Sequence, residues 1–330
     1  MSPPAAEQPG GHLRERPRRH GAFGLTLDVD ALIQIPGLGA AEASGDADPP
    51  TRIELDPQEL ARRWEQARAG WRRLGALGAS EHPYLTVDFA ERAGYLLWAE
   101  GCGRVLISAD GRQLLCDPVR DRADWTTILW AQALPFAATL RGLEVLHAAG
   151  VVTGAGAVLL AGEPGAGKSS LAAALVRRGA GLLGDDALAL QQRAGELVAH
   201  PSAGLLHLRP AEEARLSTSE RSALGAPTEL QGKWRYTRAV AGPAPLAALL
   251  LLERSAREPV LERLDAVDPF DLLASTFNLS IRTPERLRRQ LDVVTALAAG
   301  GHVYRLRVQP GTDATRLAAL VDEQLRVASA

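Results

Sequence analysis

Lysine is nearly absent from this chain of 330 residues. Lys168 and Lys233 are the two lysines among 37 lysine and arginine residues, so arginine carries almost every positive charge. The lysine ammonium is a compact point charge, whereas the guanidinium of arginine is a planar fork, and one does not replace the other at a specific site. We therefore interpret Lys168 and Lys233 as positions that need a compact cation. The alternative for Lys233 is an ordinary exposed side chain.

Cysteine and long apolar segments are also scarce. The two cysteines, Cys102 and Cys116, lack the spacing of metal ligands and predict buried apolar side chains in a reducing cytoplasm. The longest apolar run, at residues 246–252, is too short to cross a bilayer and predicts a buried central strand. We also expect no secretory signal, because no apolar segment follows the charges of the first residues. These absences predict a soluble, cytoplasmic protein without a membrane partner.

The balance of charge excludes a further class of partner. The net charge is −2 and the isoelectric point is near 6.4, so no overall positive field favours nucleic acid. Hydrophobic residues make up 46% of the chain, which is enough for the cores of two domains. We predict a disordered arm at residues 1–21, a smaller N-terminal α+β domain at residues 22–120, and an α/β domain at residues 121–330.

Helix starts can be recognised in both predicted domains. Asp56 followed by Pro57 has the residue types of a helix N-cap and first position. The apolar face of this helix is predicted to comprise Leu60, Trp64, Ala67, Trp71 and Leu74. Four arginines around a later helix start are interpreted as its solvent-facing side: Arg282, Arg286, Arg288 and Arg289.

The most specific signal is a strand, a glycine-rich loop and a helix in direct succession. Residues 157–161 predict a buried strand, residues 162–169 read GEPGAGKS, and residues 170–178 have the apolar periodicity of a helix. This is the order of a P-loop, or Walker A motif, whose main-chain N–H groups surround the phosphates of a nucleotide. The predicted ATP-binding residues are Gly162, Glu163, Pro164, Gly165, Ala166, Gly167, Lys168, Ser169 and Ser170.

Charged and hydroxyl side chains in and after this loop predict phosphate and metal chemistry. The Lys168 ammonium can reach the β- and γ-phosphates, and the Ser169 hydroxyl can ligate Mg²⁺. Asp185 and Asp186 follow a second apolar run at residues 181–184. Such carboxylates can bind Mg²⁺ and accept the proton of an attacking hydroxyl, and neighbours on a strand point to opposite faces. A single metal-binding aspartate beside a turn-forming one is the alternative.

Several motifs together resemble one known family. They are Leu146-His147-Ala148-Ala149, a turn at residues 153–156, the glycine loop with its helix at residues 162–180, and GDD at residues 184–186. Over residues 143–190 they are similar to the catalytic domain of HPr kinase/phosphorylase and its HPr-kinase-like relatives. The resemblance implies an α/β P-loop kinase core, related to that of phosphoenolpyruvate carboxykinase. It also implies a homo-oligomer and the ATP- and Mg²⁺-dependent phosphorylation of a serine on a protein or peptide.

The same resemblance implies roles for individual residues. It makes Asp185 the catalytic base, Asp186 its neighbour on the metal side, Ser169 a second metal ligand and His147 a residue near the phosphates. The HPr kinases carry a later Leu-Glu-Ile-Arg-Gly-type segment whose glutamate helps to hold the metal. The comparable residues 203–210 read AGLLHLRP and contain no glutamate. The chain is therefore more similar to divergent relatives that phosphorylate a peptide serine than to enzymes that act on HPr.

A second group of cations follows further along the chain. Residues 217–238 are polar, contain glycine and proline, and predict a mobile loop in which Lys233 and Arg235 contact phosphates or substrate. An ordinary surface loop is the alternative. For the whole chain two other functions stay open, a nucleotide-gated peptide-binding module that transfers no phosphate and a small-molecule kinase.

Overall fold

The computed structural model describes residues 18–40, 48–122, 124–230, 232–255, 258–277 and 280–328. Its architecture is mixed α/β, with two large sheets and one small sheet among these residues. Residues 1–17 of the predicted disordered arm lie outside the described residues. Residues 18–21 of that arm correct the prediction, because their main chain pairs with residues 26–29 in an antiparallel hairpin.

The first sheet lies in the N-terminal third of the chain. Within the described residues its nine strands are β1 (Arg18–Ala22), β2 (Leu25–Val29), β3 (Gly39–Ala40), β4 (Thr51–Leu55), β5 (Arg72–Gly78), β6 (Pro83–Ala90), β7 (Gly94–Ala99), β8 (Gly103–Ile107) and β9 (Gln113–Pro118). Their spatial order is β3-β1-β2-β4-β9-β8-β7-β6-β5, and β5 to β9 form an antiparallel meander. Both cysteines are buried free thiols in this region, as the sequence predicts.

Helix α1 (Pro57–Ala67) covers part of one face of this sheet. The Asp56 carboxylate accepts the N–H of Glu59 at 2.9 Å, so the predicted cap is confirmed. The predicted continuation through Trp71 and Leu74 is wrong, because a short 3₁₀ turn ends at Gly70 and β5 begins at residue 72. Glycine weakens the helix at this point, and pairing with β6 satisfies the main chain instead.

The second large sheet and the small sheet fill the rest of the chain. Their strands are β10 (Glu144–Leu146), β11 (Ala148–Thr153), β12 (Gly156–Gly162), β13 (Gly181–Gly184), β14 (Leu188–Arg193), β15 (Glu196–His200), β16 (Leu205–Leu208), β17 (Ala226–Leu230), β18 (Lys233–Thr237), β19 (Ala244–Arg254), β20 (Val260–Arg263) and β21 (Val303–Val308). The helices are α2 (Leu134–Leu140), α3 (Lys168–Arg177), α4 (Pro210–Glu213), α5 (Thr218–Leu224), α6 (Pro269–Leu273), α7 (Pro284–Ala299) and α8 (Ala314–Ala328). None of the helices in the described residues has the length and apolar character needed to cross a membrane.

Strand β19 lies at the centre of the second sheet. It pairs in parallel with β12 on one side and with β21 on the other, so its apolar run at residues 246–252 is the predicted central strand. Strand β11 joins the far side of β12 and also pairs with β13. This order brings the carboxyl ends of β12, β19 and β13 to the same region, where the predicted site residues are located.

The two predicted domains share one apolar core. Ile53 and Leu114 of the first sheet belong to the same buried cluster as Phe136 of α2, Val145 of β10 and Ala189 of β14. The first sheet ends at residue 118, and a π-helical turn at residues 129–133 leads into α2. This cluster contains residues from both sides of residue 121, so the division of the chain into two domains at that point stays a prediction.

The predicted mobile loop at residues 217–238 is largely regular structure, which corrects the prediction. Ser217 caps helix α5, where its hydroxyl oxygen accepts the N–H of Glu220, and β17 and β18 then pair as a hairpin. Strand β18 also pairs with β16, giving the small sheet. Polar composition suggested a loop because the outer face of this hairpin is exposed, and an exposed strand lacks an apolar signal.

A buried ion pair joins α7 to β10. Arg286 was predicted to face solvent, but its guanidinium is 3% exposed and lies 2.8 Å from the Glu144 carboxylate, which is 1% exposed. Gln290 accepts a second hydrogen bond from Arg286 at 2.8 Å. Burial raises the pKa of the Glu144 carboxyl, against the opposing charges of Arg286 and Arg289. The pair links the end of α7 that faces the sheet to the strand that leads into His147.

Removing one member of this pair is expected to destabilise the fold strongly. Arg286→Met should lower the free energy of unfolding by about 3–5 kcal/mol, because a buried carboxylate then loses its partner. The double variant Glu144→Gln, Arg286→Met should lose less than the two single variants together. Urea unfolding measures these values, with the exposed Arg288→Met as control. A loss equal to that of the control would contradict the prediction.

His200 gives the fold a defined dependence on pH. Its side chain is buried, its Nε2 lies 3.1 Å from Oε1 of Gln191, and burial, with a smaller contribution from Arg193, lowers its pKa from 6.5 to about 4. Between pH 7 and pH 5 the unfolded chain binds a proton at this site and the folded chain does not, so this group should lower the free energy of unfolding by about 2 kcal/mol. The pKa of Glu144, raised to about 7, changes the stability in the opposite direction over the same interval, and it does so in every variant that keeps Glu144. Urea unfolding at both pH values should therefore show a loss about 2 kcal/mol larger in the wild type than in His200→Gln. Equal losses in the two proteins would exclude His200 as the cause.

Candidate active site

The glycine loop lies between β12 and α3 and corresponds to residues 162–167. Gly162, at φ 141°, passes so close to β19 that a Cβ there would lie 2.6 Å from the Leu252 carbonyl oxygen. Gly167 has φ 103° and caps α3, a conformation that favours glycine. The first N–H groups of α3 have no partners within the helix and carry the positive end of its dipole. The loop and helix start can therefore hold an anion.

Lys168 is the first residue of α3 and is buried. Its ammonium donates to the carbonyl oxygens of Gly162 at 2.7 Å and Glu163 at 3.4 Å. Burial lowers the pKa of Lys168, and the negative charges of Asp185 and Asp186 oppose that change. The compact cation predicted at this position thus lies against the main chain of the loop.

The Asp185 carboxylate is the most tightly held group at the site. Its Oδ1 accepts the Ser169 hydroxyl at 3.0 Å and the N–H of Asp186 at 3.0 Å. Its Oδ2 accepts the N–H of His207 at 2.9 Å, and the side chain is 1% exposed. Burial by itself would raise the pKa of Asp185, but the hydrogen bonds and charge of His207, with the Ser169 hydrogen bond, lower it. This geometry favours an ionised carboxylate whose two oxygens are both in use.

Asp186 is turned in a different direction from its neighbour. Its φ is 72°, in the left-handed region, and 42% of its side chain is exposed. Burial and the charge of Asp185 raise the pKa of Asp186, while His207, Lys233 and His147 oppose the rise. No described residue donates a hydrogen bond to its carboxylate within ordinary distance. One carboxylate of the pair is therefore saturated and the other open.

His207 is a site residue that the sequence analysis missed. It lies on β16, and its ring is 9% exposed and stacks on Trp130 with ring centroids 5.2 Å apart. Its Nδ1 is 3.5 Å from Oδ2 of Asp185 and 3.6 Å from Oδ2 of Asp186, and makes no hydrogen bond to the described residues. The one available signal was a polar side chain within the apolar strand LLHL.

His147 lies beside the two aspartates. Its N–H donates to the Ser275 carbonyl oxygen at 2.6 Å, and its ring stacks on Phe277 at 6.4 Å between centroids. Burial lowers the pKa of His147, followed by the charge of Lys168, whereas the two aspartates and a hydrogen bond to the Asp186 main chain raise it. Lys168, His147 and both aspartates are thus brought together by the fold.

The two further predicted cations lie on β18. Arg235 is paired with His207 across the small sheet, so their side chains share one face. Burial lowers the pKa of Arg235, which Asp124 opposes, and its Nε makes no hydrogen bond to the described residues. Lys233 is exposed at the hairpin turn and close enough to lower the pKa of Asp186.

Ser170 contacts a glutamate that was not identified from the sequence. Its hydroxyl donates to Oε1 of Glu212, and Oε2 of Glu212 accepts the N–H of Arg209 at 3.0 Å. Glu212 lies two residues beyond the segment that lacks the expected glutamate. The fold therefore places a carboxylate beside the loop helix from a position that motif comparison passes over.

Replacing Asp186 separates main-chain strain from the role of its carboxylate. We expect Asp186→Gly to be more stable than Asp186→Ala by about 1 kcal/mol, because a positive φ is costly for a residue with a Cβ. At the exposed helical control Asp292, the order of the same two substitutions should be reversed. Urea unfolding measures the four variants. An alanine variant of Asp186 that is more stable than the glycine variant would contradict the strain.

Comparison with known proteins identifies no family for this chain. No protein-family model and no curated protein matches the chain. One solved structure, the Hpr(Ser) kinase/phosphatase from Coxiella burnetii, is 17% identical, and the match covers 56% of this chain and 99% of that chain with a TM-score of 0.30. A similarity at this TM-score carries no argument about the activity of the chain.

Proposed function

We propose that this chain is a kinase that transfers the γ-phosphate of ATP, with Mg²⁺, to a serine hydroxyl of a protein or peptide. One observation carries the proposal: the Ser169 hydroxyl, at the start of the loop helix, donates to the Asp185 carboxylate at 3.0 Å. A cradle for phosphates and a pair of carboxylates are thereby adjacent. Phosphoryl transfer depends on positioning and on charges of this kind. The serine acceptor and the cytoplasmic location belong to the proposal because the motif resemblance and the two free thiols suit them.

The nucleotide phosphates would lie in the glycine loop. Main-chain N–H groups of residues 162–169, apart from Pro164, which has none, and the N-terminus of α3 would bind phosphate oxygens. The Lys168 ammonium, now against two loop carbonyls, would contact the β- and γ-phosphates. Phosphate charge would favour the ammonium form of Lys168, whose pKa burial lowers.

Mg²⁺ fits the oxygen atoms at the mouth of the loop. The Ser169 hydroxyl and the carboxylates of Asp185 and Asp186 are hard oxygen donors of the type this ion prefers. The described residues contain no group of three or more His, Cys, Asp or Glu side chains that could hold a metal ion. Mg²⁺ commonly binds through one or two carboxylates together with substrate phosphates. When bound, it neutralises charge on those phosphates.

The geometry favours the opposite division of roles from the one that the resemblance implies. Both oxygens of Asp185 already accept hydrogen bonds, which suits a carboxylate that orients Ser169 and the metal. The Asp186 carboxylate is open and exposed, so an acceptor hydroxyl can reach it. We assign Asp186 as the base and Asp185 to the metal side.

The transfer itself would proceed in one displacement. The acceptor hydroxyl gives its proton to Asp186 as its oxygen bonds to the γ-phosphorus and the bond to the ADP oxygen breaks. Lys168 stabilises the charge of the phosphates throughout. His147 and Lys233 add positive or polar groups near Asp186, from the position between β10 and β11 and from the hairpin.

Transfer of label from γ-labelled ATP tests this function. With Mg²⁺ and candidate peptides encoded near the gene, the wild type should label a peptide serine and should not label its alanine variant. Asp186→Asn should lower kcat by about 10²–10⁴-fold with a small change in the affinity for ATP, because it removes the base. Asp185→Asn should also raise the Mg²⁺ concentration needed.

The exposed Asp292→Asn, which also removes one carboxylate, is the control and should keep full activity. Tight ATP binding without transfer to any acceptor would favour the nucleotide-gated module instead. Label found on a sugar or nucleoside, and on no peptide, would favour the small-molecule kinase.

A further inference from the structure

Two arginine side chains meet over Gly165, in the middle of the glycine loop. Nη2 of Arg254, the last residue of β19, donates to the Gly165 carbonyl oxygen at 2.6 Å. A Cβ built on Gly165 would lie 3.2 Å from Nη2 of Arg209 and 3.4 Å from Nη2 of Arg254. Gly165 has φ 85°, a main-chain conformation that favours glycine, and a Cβ there would be in tight contact with both guanidinium groups. One guanidinium group from the end of β19 and one from the turn after β16 therefore converge on one point.

Neither of these charges has an ion-pair partner in the described part of the chain: no carboxylate there pairs with Arg209 or Arg254, whereas Arg178 pairs with Asp322 elsewhere. Both side chains are exposed, so a ligand can reach them. Like charges held close together repel, and an anion between them reverses the sign of that interaction.

Both arginines are held by elements that are fixed to the loop. Glu212 accepts the Arg209 N–H at 3.0 Å and also the Ser170 hydroxyl, which ties the turn that carries Arg209 to α3. Arg254 ends the strand that pairs with β12 directly before the loop. The main chain of both arginines is thus fixed beside the loop before a ligand binds, and the hydrogen bond to Gly165 also holds the Arg254 guanidinium there. A fixed arrangement of charges favours electrostatic binding.

We propose that Arg209 and Arg254 form a second anion subsite, which binds the terminal phosphate of a nucleoside triphosphate. The proposal rests on the nucleotide site described under Proposed function and extends it. The loop N–H groups and Lys168 hold the β- and γ-phosphates from the side of the loop, and the two guanidinium groups contact the remaining oxygens of the γ-phosphate. The planar fork of a guanidinium matches phosphate oxygens in pairs. The subsite would distinguish a triphosphate from a diphosphate and would lose its ligand once the phosphate is transferred.

Calorimetric titration of the full chain tests the subsite without a catalytic readout. ATP, ADP and inorganic tripolyphosphate, each with Mg²⁺, are titrated into the wild type, Arg209→Gln, Arg254→Gln and Arg254→Lys. Arg209→Gln and Arg254→Gln should lower the affinity for ATP and for tripolyphosphate by about 10- to 100-fold, the value of a charge-assisted hydrogen bond. The affinity for ADP should fall less than threefold, and Arg254→Lys should keep part of the affinity for ATP. Arg215→Gln, an exposed arginine on the same segment, is the control.

Each other outcome overturns the subsite. If the affinities for ATP and ADP fall equally and the affinity for tripolyphosphate is unchanged, the arginines contact the ribose or the base and not the terminal phosphate. Unchanged affinity for ATP in both glutamine variants would remove them from the site, and the nucleotide proposal would survive if Lys168→Ala still abolished binding. A wild type that binds no magnesium nucleotide at all would overturn the proposed function as well.

Discussion

Three parts of the chain are joined at the Asp185 carboxylate. Ser169 on α3, the Asp186 main chain and the His207 main chain on β16 all donate to it, across sequence separations of up to 22 residues. Because the carboxylate is buried, an acceptor left without its donor would cost about 1–3 kcal/mol, so the three contacts are held together. The same arrangement turns Asp186 into a left-handed conformation and outward. One aspartate is thus held by hydrogen bonds, and the carboxylate of the other is open.

Burial shifts the pKa values of Lys168 and Asp186 in the directions that favour their neutral forms. Desolvation lowers the pKa of Lys168, and the charges of Asp185 and Asp186 partly offset that shift. Desolvation and the charge of Asp185 raise the pKa of Asp186, and His207, Lys233 and His147 partly offset the rise. A phosphate beside Lys168 and a cation beside Asp186 would both favour the charged forms. Ligands of these charges would therefore bind with a gain that an already neutralised site would lack. Strain at Asp186 is consistent with this, since strained conformations cluster at functional sites.

Local patterns in the sequence predicted the strand, loop and helix around residues 157–177 and the strand before the two aspartates, because these elements follow each other within a few residues. His207 and Glu212 could not be predicted, because their roles depend on pairing between β16 and β18 and on a short turn after it. The helix expected through Trp71 ended early because strand pairing competed with a weak helical signal. Arg286 was misassigned because a polar residue type does not show which face of a helix finds a partner. The missed features are all consequences of tertiary contact.

The hydrogen-bond acceptors of Lys168 explain why lysine and not arginine occupies this position. Lys168 donates to two loop carbonyls at the start of a helix, where a small ammonium fits and a planar fork would not. Burial alone does not require lysine, since Arg286 is more deeply buried and is satisfied by a carboxylate and an amide that match its several donors. At the exposed edge of the loop, Arg209 and Arg254 have room for their forks. At Lys168 the type of cation therefore follows the shape of its acceptors, which are two carbonyl groups in one tight turn of main chain.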